Sequence, residues 1–414
     1  MIFLTSIYYM LLNCSAEILY EYINPLIKKC PTYTGGVSKN NYIRNSNRII
    51  NILYNDIEKS FESVNKLLQG SCFRANVISN KKEFLNPNGY NNRFLPDIIR
   101  EYIDKNKSYQ LCYECTIANK QVRLYFTLFS RKEFENISEY HTYVRIIYAW
   151  LHVCFKYSKK PCANKIDIYF YLTPMRKWLP HESTTILGSM NVNTAFSTLC
   201  AANEEIVIYR KEEWLKVLIH ETFHAFGFDL GLHSSPILKQ TLSSIFKVDI
   251  DFNAGEAYTE TWARIINCVL WSYLKTLNKN KTDFYKTVQK SLQLERLFSI
   301  YQMIKVMKYM GISFENLLGK TQNDILILKN AYRETTPVFS YYILCGMCMC
   351  DYYAFLNWCN QHNTFHKNKK ILQFHATKSN YTLFGKLMET LTYNKMLINT
   401  TLNYSPNFDK KKRK

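Results

Sequence analysis

No part of the chain carries the ~20 uninterrupted apolar residues that a membrane-spanning helix needs. The best candidate starts near Phe339 and is interrupted by Asp351, so no transmembrane segment is expected. The chain also lacks an arginine-rich arm and any recognisable nucleic-acid motif. It has 53 Lys and Arg against 33 Asp and Glu, a formal charge of +20. That excess permits contact with nucleic acid or an anionic surface. The basic residues are spread along the whole sequence, however, and read mostly as a solvated lysine surface. Nucleic acid is therefore not expected as the primary ligand. The closing run, Asp409 to Lys414, reads as a basic tail or a nuclear import signal.

Regular cysteine spacing is missing too. The 13 cysteines are odd in number and irregular in position. That argues against a disulfide frame and for reduced core residues of an intracellular protein, in cytoplasm or nucleus. The apolar start, MIFLTSIYYMLLNCSA, lacks the basic region of a signal peptide and runs directly into Glu17. A buried helix is expected there rather than secretion. Glycine (12) and proline (10) are scarce beside 32 tyrosines, and Asn, Ile and Lys abound. This is the bias of AT-rich coding, a clue about source and not chemistry. Hydrophobic residues make up 47%, enough for a substantial core.

What is present centres on Lys211 to Asp229, KEEWLKVLIHETFHAFGFD. It contains His220-Glu221-Thr222-Phe223-His224, an H-E-x-x-H pattern. On a helix, positions i and i+4 share a face one turn apart, so two imidazoles can hold one metal ion. Glu221 projects beside them, where a carboxylate can take a proton from water. Zinc suits such a set because it accepts nitrogen and oxygen ligands and leaves a position open. The spacing predicts a helix with Glu212 and Glu213 in its first turn and Gly227 at its end. Two C-x-x-C pairs, Cys112/Cys115 and Cys345/Cys348, read as core thiols rather than as a second zinc site. Residues three apart on a strand point to opposite faces.

Around this helix the expected elements alternate. Residues 1–105 read as mostly helical, with Ile49, Ile52, Leu53, Ile57, Phe61, Val64 and Leu68 at helical spacing. Thr32 to Asn41 reads as a loop, and Asn86 to Pro96 as a boundary rich in turn residues. Ser108 to Ile117 and Gln121 to Phe129 read as a hairpin. Phe134 to Tyr157 reads as a long helix, with Tyr143, Ile146, Ile147, Trp150 and Val153 on one face. Lys165 to Leu172, Asn191 to Ser197 and Glu205 to Tyr209 read as strands. Pro174 to Leu187 is a loop. After residue 262 the chain reads as helices, including one from Phe339 to Trp358. The fold class expected is α+β.

That order resembles the N-terminal half of zincin metallopeptidases, in which a twisted mixed sheet covers the active-site helix. Their antiparallel edge strand takes the substrate backbone by strand addition. Asn193-Thr194-Ala195-Phe196 is similar in character to the edge strand of thermolysin-like enzymes. The third ligand separates the branches. Metzincins continue to a His or Asp three residues beyond the glycine, but position 230 is Leu. Asp229 is one residue early and His233 three late. A leishmanolysin-like insertion would offer His362, His366 or His375. The gluzincin pattern fits better. The run Asn253 to Ala263, NAGEAYTETWA, resembles the gluzincin glutamate helix, including that of the anthrax lethal-factor type. Residue by residue, Glu256 takes the place of the metal ligand. Glu260 takes the place of the acid that hydrogen-bonds the first histidine, here His220. Both also fit a plain helix start, with Glu256 reaching back to the backbone and Glu260 facing water.

The resemblance covers about residues 110–270. It implies a zinc metalloendopeptidase with His220, His224 and Glu256 on Zn2+, Glu221 as general base, and a protein or peptide substrate. Composition and motif together look like the predicted metallopeptidases of large AT-rich DNA viruses. Tyr341, Tyr342 and His233 are candidates to stabilise an oxyanion. The expected layout is an accessory helical region (1–105), a zincin sheet with its active-site helix (106–252), a helical subdomain carrying the glutamate helix (253–408) and the basic tail (409–414). Two other readings stand beside it. One is a zincin-fold scaffold without catalysis. The other is a basic nucleic-acid-binding protein with an incidental motif.

Overall fold

The computed structural model describes residues 38–401 except 68, 70–73, 159–161, 232–234, 278–279, 364–369, 395–396 and 399–400. The apolar start, Gly35-Gly36, His233, His366 and the basic tail lie outside the described residues. Among the described residues, helices and one mixed sheet give an α+β architecture.

Helix α1, Ser38–Leu67, opens the described part. It begins inside the stretch read as a loop from Thr32 to Asn41. Ile49, Leu53, Ile57, Phe61 and Val64 are buried, as the apolar spacing predicts. β1, Asn76–Ile78, follows, so the region read as mostly helical also contributes to the sheet. Helix α2 spans Asp97–Asn106. The hairpin is formed by β2, Tyr109–Ile117, and β3, Lys120–Leu128. Its two connecting residues, Ala118 and Asn119, have φ of 48° and 62°, the doubly left-handed geometry of a type I′ turn. A short helix, Arg131–Glu135, precedes α3, Ile137–Tyr157. The single long helix expected from Phe134 is thus two, with Asn136 between them.

β4, Lys165–Thr173, leads through a long connection to a short helix, Ser189–Val192. β5, Ala195–Ser197, and β6, Asn203–Arg210, complete the sheet. The strand expected over Asn191 to Ser197 is shorter than that, because Asn191 and Val192 close a helical turn. The strand order is β1-β2-β3-β4-β6-β5. β3, β4 and β6 run parallel; β5 pairs antiparallel with β6 and forms the edge.

Period-two alternation gives the sheet two apolar faces. Ile166, Ile168 and Phe170 of β4 join the large core beneath. Tyr169 and Tyr171 face the other way and pack with Leu95, Ile99 and Ile103 from α2 and the segment before it. Under the large face lie α1, α3 and three more helices: α4, Trp214–Ala225; α5, Pro236–Ile245; and α6, Ala254–Lys275. The Trp150 indole of α3 donates to Thr222 Oγ1 of α4 at 3.0 Å, which fixes the rotation of α4 about its axis. Further on come α7, Lys281–Tyr309, and α8, Gln322–Ala331. A π-helical segment, Phe339–Leu344, then runs into the helical stretch Cys345–Cys350. Asp351 breaks the expected helix to Trp358, because its side chain caps a new one, α9, Tyr352–His362, by accepting from the Ala354 N–H. α10, Lys378–Thr392, packs on α5.

Among the described residues no helix is long and apolar enough to cross a membrane. The expectation of reduced core cysteines needs correction at one pair. Cys162 and Cys200 are disulfide-bonded, joining the start of β4 to the β5–β6 connection. Their Cα atoms are 4.6 Å apart, a separation that permits bonding. Cys112 and Cys115 are not disulfide-bonded and lie on opposite faces of β2, and Cys345, Cys348, Cys350 and Cys359 are buried thiols.

Candidate metal centre

Helix α4 carries the H-E-x-x-H residues, and its two ends are built differently from expectation. Glu212 and Glu213 precede the helix instead of forming its first turn. Glu213 sits at the N-cap in left-handed conformation, φ 57°, and makes no capping bond. Its carboxylate instead meets Lys177 Nζ at 2.8 Å and Lys216 Nζ at 3.7 Å. The C-terminal end follows the glycine rule. Gly227 has φ 64°. The Phe228 N–H donates to Phe223 C=O at 2.8 Å and the Gly227 N–H to His224 C=O at 3.0 Å, the paired bonds of a Schellman motif. This tight stop folds the chain back so that Asp229 lies beside His224.

Helix α6 crosses α4 and brings its glutamates to the same place. Asn253 caps it by accepting from the Glu256 N–H. His220 Nε2 is 3.1 Å from Glu256 Oε2 and 3.2 Å from His224 Nε2, and His224 Nε2 is 3.4 Å from Glu256 Oε2. Among the described residues this is the one group of three such side chains whose ligand atoms converge, all within 4.8 Å. Tetrahedral ligands about 2.0–2.1 Å from an ion lie roughly 3.3 Å from one another, so the three separations match a single coordination shell.

The outer nitrogens are each met by a carboxylate. His220 Nδ1 faces Glu260 Oε2 at 3.0 Å, and His224 Nδ1 faces Asp229 Oδ2 at 2.6 Å. A carboxylate accepts only, so each Nδ1 is a donor. In the neutral form of both rings the Nε2 atoms would turn lone pairs toward each other and toward Glu256. Three electron-rich atoms at 3.1–3.4 Å would repel unless a positive charge, a proton on an imidazole or a metal ion, lies among them. Burial alone would lower both imidazoles and raise the Glu256 carboxyl. The carboxylates outweigh it for the histidines, which are held above their ordinary value, and the histidines outweigh it for Glu256, which is held below. Histidines oriented from behind by carboxylates are a standard feature of metal sites. The donor set could therefore hold a metal ion.

Glu260 is itself anchored. Lys216 Nζ reaches its Oε1 at 2.6 Å and Arg264 at 2.9 Å. Burial would raise the carboxyl, but these cations and His220 hold it well below the usual range. Arg264 also donates to Glu295 at 2.7 Å.

Glu221 is buried on the same helix, and its Oε2 accepts from Ser197 Oγ of the edge strand at 2.7 Å. Beside His220 and Glu221 opens a cavity of about 330 Å3. Asn193, Thr194 and Ala195 line one side, and Phe298, Tyr341 and Tyr342 another. The Tyr341 ring centre is 5.8 Å from that of His220. It stands on the π-helical segment, a geometry that recurs at functional sites. Burial, then the Glu256 and Glu221 carboxylates, push its phenol well up, so it stays a proton donor.

The structure thus brings His220, Glu221, His224, Glu256 and Glu260 together, with Tyr341 beside them. Tyr342 lines the cavity farther along, by Lys177 and Glu213. His362 and His375 do not enter the cluster. Asp229, weighed in the sequence as a metzincin-type ligand, contacts the rear of His224 instead. Ser197 carried no sequence signal, because the contact depends on where β5 ends over α4. No protein-family model matches the chain, and no curated protein or solved structure matches it.

Proposed function

We propose that this chain is a zinc-dependent endopeptidase of gluzincin type. The observation that carries the reading is the convergence of two imidazoles and one carboxylate, with Glu221 beside them and a carboxylate behind each imidazole. His220, His224 and Glu256 hold the ion. When bound, zinc supplies a Lewis acid that polarises a carbonyl and brings the pKa of water toward ~7. Glu221 takes the proton of the attacking water and delivers it to the leaving amine. Ser197 keeps the Glu221 carboxylate turned to that task. β5 offers its free edge to a peptide backbone, which suits a protein or peptide substrate. Tyr341 presents a protonated phenol on the far side, placed to donate to developing negative charge.

The test is metal content followed by hydrolysis. Purified protein should carry about one zinc per chain and lose it in His220→Ala or His224→Ala. Glu221→Gln should keep the zinc and lose cleavage of a peptide that the parent cuts. A parent that binds no zinc after reconstitution and dialysis would overturn the proposal.

A further inference from the structure

A chain of buried charges runs from the metal centre to the cavity mouth. Glu260 Oε2 meets His220 Nδ1 at 3.0 Å, and its Oε1 meets Lys216 Nζ at 2.6 Å. Lys216 lies 3.7 Å from Glu213, and Glu213 lies 2.8 Å from Lys177. The side chains of Glu213, Lys216 and Glu260 are 9%, 7% and 6% exposed, and that of Lys177 is 17%. Signs alternate along the whole chain. In such surroundings a charge that moves away from its partners is left buried without compensation, so each member fixes the next.

The far end is the β4–β5 connection. Lys177 is held twice, because its N–H also donates to Glu212 Oε2 at 2.8 Å. The next residue, Trp178, lines the cavity and is 48% exposed, the one tryptophan among the large exposed apolar residues of the described chain. Its carbonyl accepts from Asn191 Nδ2 at 3.2 Å. A bulky indole is thus held at the mouth of the cavity by backbone and salt-bridge anchors on either side. At the other end of the anchors, Glu213 keeps a left-handed conformation, φ 57°, that is unfavourable for a non-glycine residue, so the contacts with Lys177 and Lys216 must offset it.

We propose that Lys177 is a positioning residue that couples the Trp178 wall of the cavity to the metal-holding His220, through Glu213, Lys216 and Glu260. Coupling of this kind is reciprocal. A metal ion on His220 tightens the anchoring of Trp178, and loosening Lys177 weakens the hold on the metal. The proposal rests on the metal reading of the centre and does not depend on which bond is cleaved.

The experiment uses full-length protein and zinc alone. Zinc affinity is measured by chelator competition, and the emission of Trp178 is isolated as the difference between the parent and Trp178→Phe. The parent should change Trp178 emission on zinc binding. Lys177→Met should lower zinc affinity about three- to tenfold, less than the 10–100-fold of a group bonded to a ligand. It should also abolish the zinc-dependent change at Trp178. Lys177→Arg should restore both. If Lys177→Met does not fold, Glu213→Gln removes the charge between the two lysines and carries the same expectations. A merely structural role would change thermal stability but leave the zinc-dependent signal intact. Zinc affinity and Trp178 response both at parental level in a folded Lys177→Met or Glu213→Gln would overturn the coupling alone. Failure of the parent to bind zinc would instead overturn the metal reading beneath it.

Discussion

Asp229 stands behind His224, its Oδ2 2.6 Å from Nδ1, as Glu260 stands behind His220. The two histidines thus share one design from two sources. Glu260 comes from a helix forty residues on; Asp229 comes from the turn that ends the histidines' own helix. Its other oxygen accepts the Gly231 N–H at 3.0 Å, so the carboxylate is held in place before any ion arrives.

Asp229→Asn should therefore weaken zinc without removing a ligand. The amide can present its oxygen to Nδ1–H, but the charge that raises imidazole basicity is gone. Zinc affinity should fall about tenfold, within the usual range for such partners, and the fold should survive. Isothermal titration or chelator competition reads this directly. An unchanged affinity would mean that Asp229 serves only the turn.

How far the sequence alone reached depended on the range of the contact. The His220/His224 pair, Gly227 and the Glu256/Glu260 pair are set by spacing within one helix or its cap, and they were legible. Asp229 is visible in the sequence only as a residue one position out of register for a metzincin ligand, with no other role marked. Counting positions places it near the histidine pair, and only the Schellman turn shows that it approaches His224 from the outer nitrogen. Ser197 and Lys177 were illegible, because their partners belong to other elements and no local pattern marks a cross-element contact. Glu213 misled for a related reason. Its charge suits a first helical turn, but two lysines pull it into an ion-pair chain outside the helix. The Cys162–Cys200 bridge was hidden by cysteine arithmetic, since a total of 13 is silent about which two meet.

Ser197→Ala tests the link between the edge strand and the base. The hydroxyl donates to Glu221 Oε2 at 2.7 Å, a charge-assisted bond of about 1.5–3 kcal/mol. Without it the carboxylate loses one of its positioning contacts. Peptide turnover should fall roughly ten- to hundredfold, while zinc affinity stays at the parental level. Loss of zinc together with turnover would place Ser197 in the fold of the centre instead.

Glu204 gives a pH signature from a buried carboxyl outside the His220, His224 and Glu256 cluster. Its side chain is buried and accepts from Thr198 Oγ1 and the Ala201 N–H. Burial raises the carboxyl to about 7, with those hydrogen bonds and the charge of His224 only partly offsetting it. A folded-state value above the unfolded one means that the native state binds the extra proton. Stability from this group is therefore full below about pH 4.5 and is lost as pH rises through about 7, by about 3 kcal/mol at 1.36 kcal/mol per unit. Glu204→Gln should melt higher than the parent at pH 8 and no higher at pH 4.5. Thermal melts of both metal-free proteins across that range decide it. Parallel curves for the two would show that Glu204 does not titrate in the native state.

The sharpest test of the centre compares the two glutamates of α6. They lie one turn apart on one face yet have different work. Glu256 Oε2 is 3.1 Å from His220 Nε2 and 3.4 Å from His224 Nε2, inside the ring of atoms that would surround an ion. Glu260 touches only the rear nitrogen of His220 and is occupied by Lys216 and Arg264 as well. Glu256→Ala should therefore remove one of three protein ligands and abolish tight zinc binding. Glu260→Ala should leave zinc bound with affinity or activity reduced about 10–100-fold. It should also lose stability of about 3–5 kcal/mol, because Lys216 and Arg264 are left buried without their shared anion. Glu256→Ala should cost far less stability, since no lysine or arginine depends on Glu256. The four measurements, zinc affinity and melting temperature for each variant, form a crossed pattern that a generic acidic helix would not produce. If Glu256→Ala keeps parental zinc affinity while Asp229→Ala loses it, the third ligand is Asp229 and the gluzincin assignment is wrong, even for a protein that proves to be a zinc peptidase.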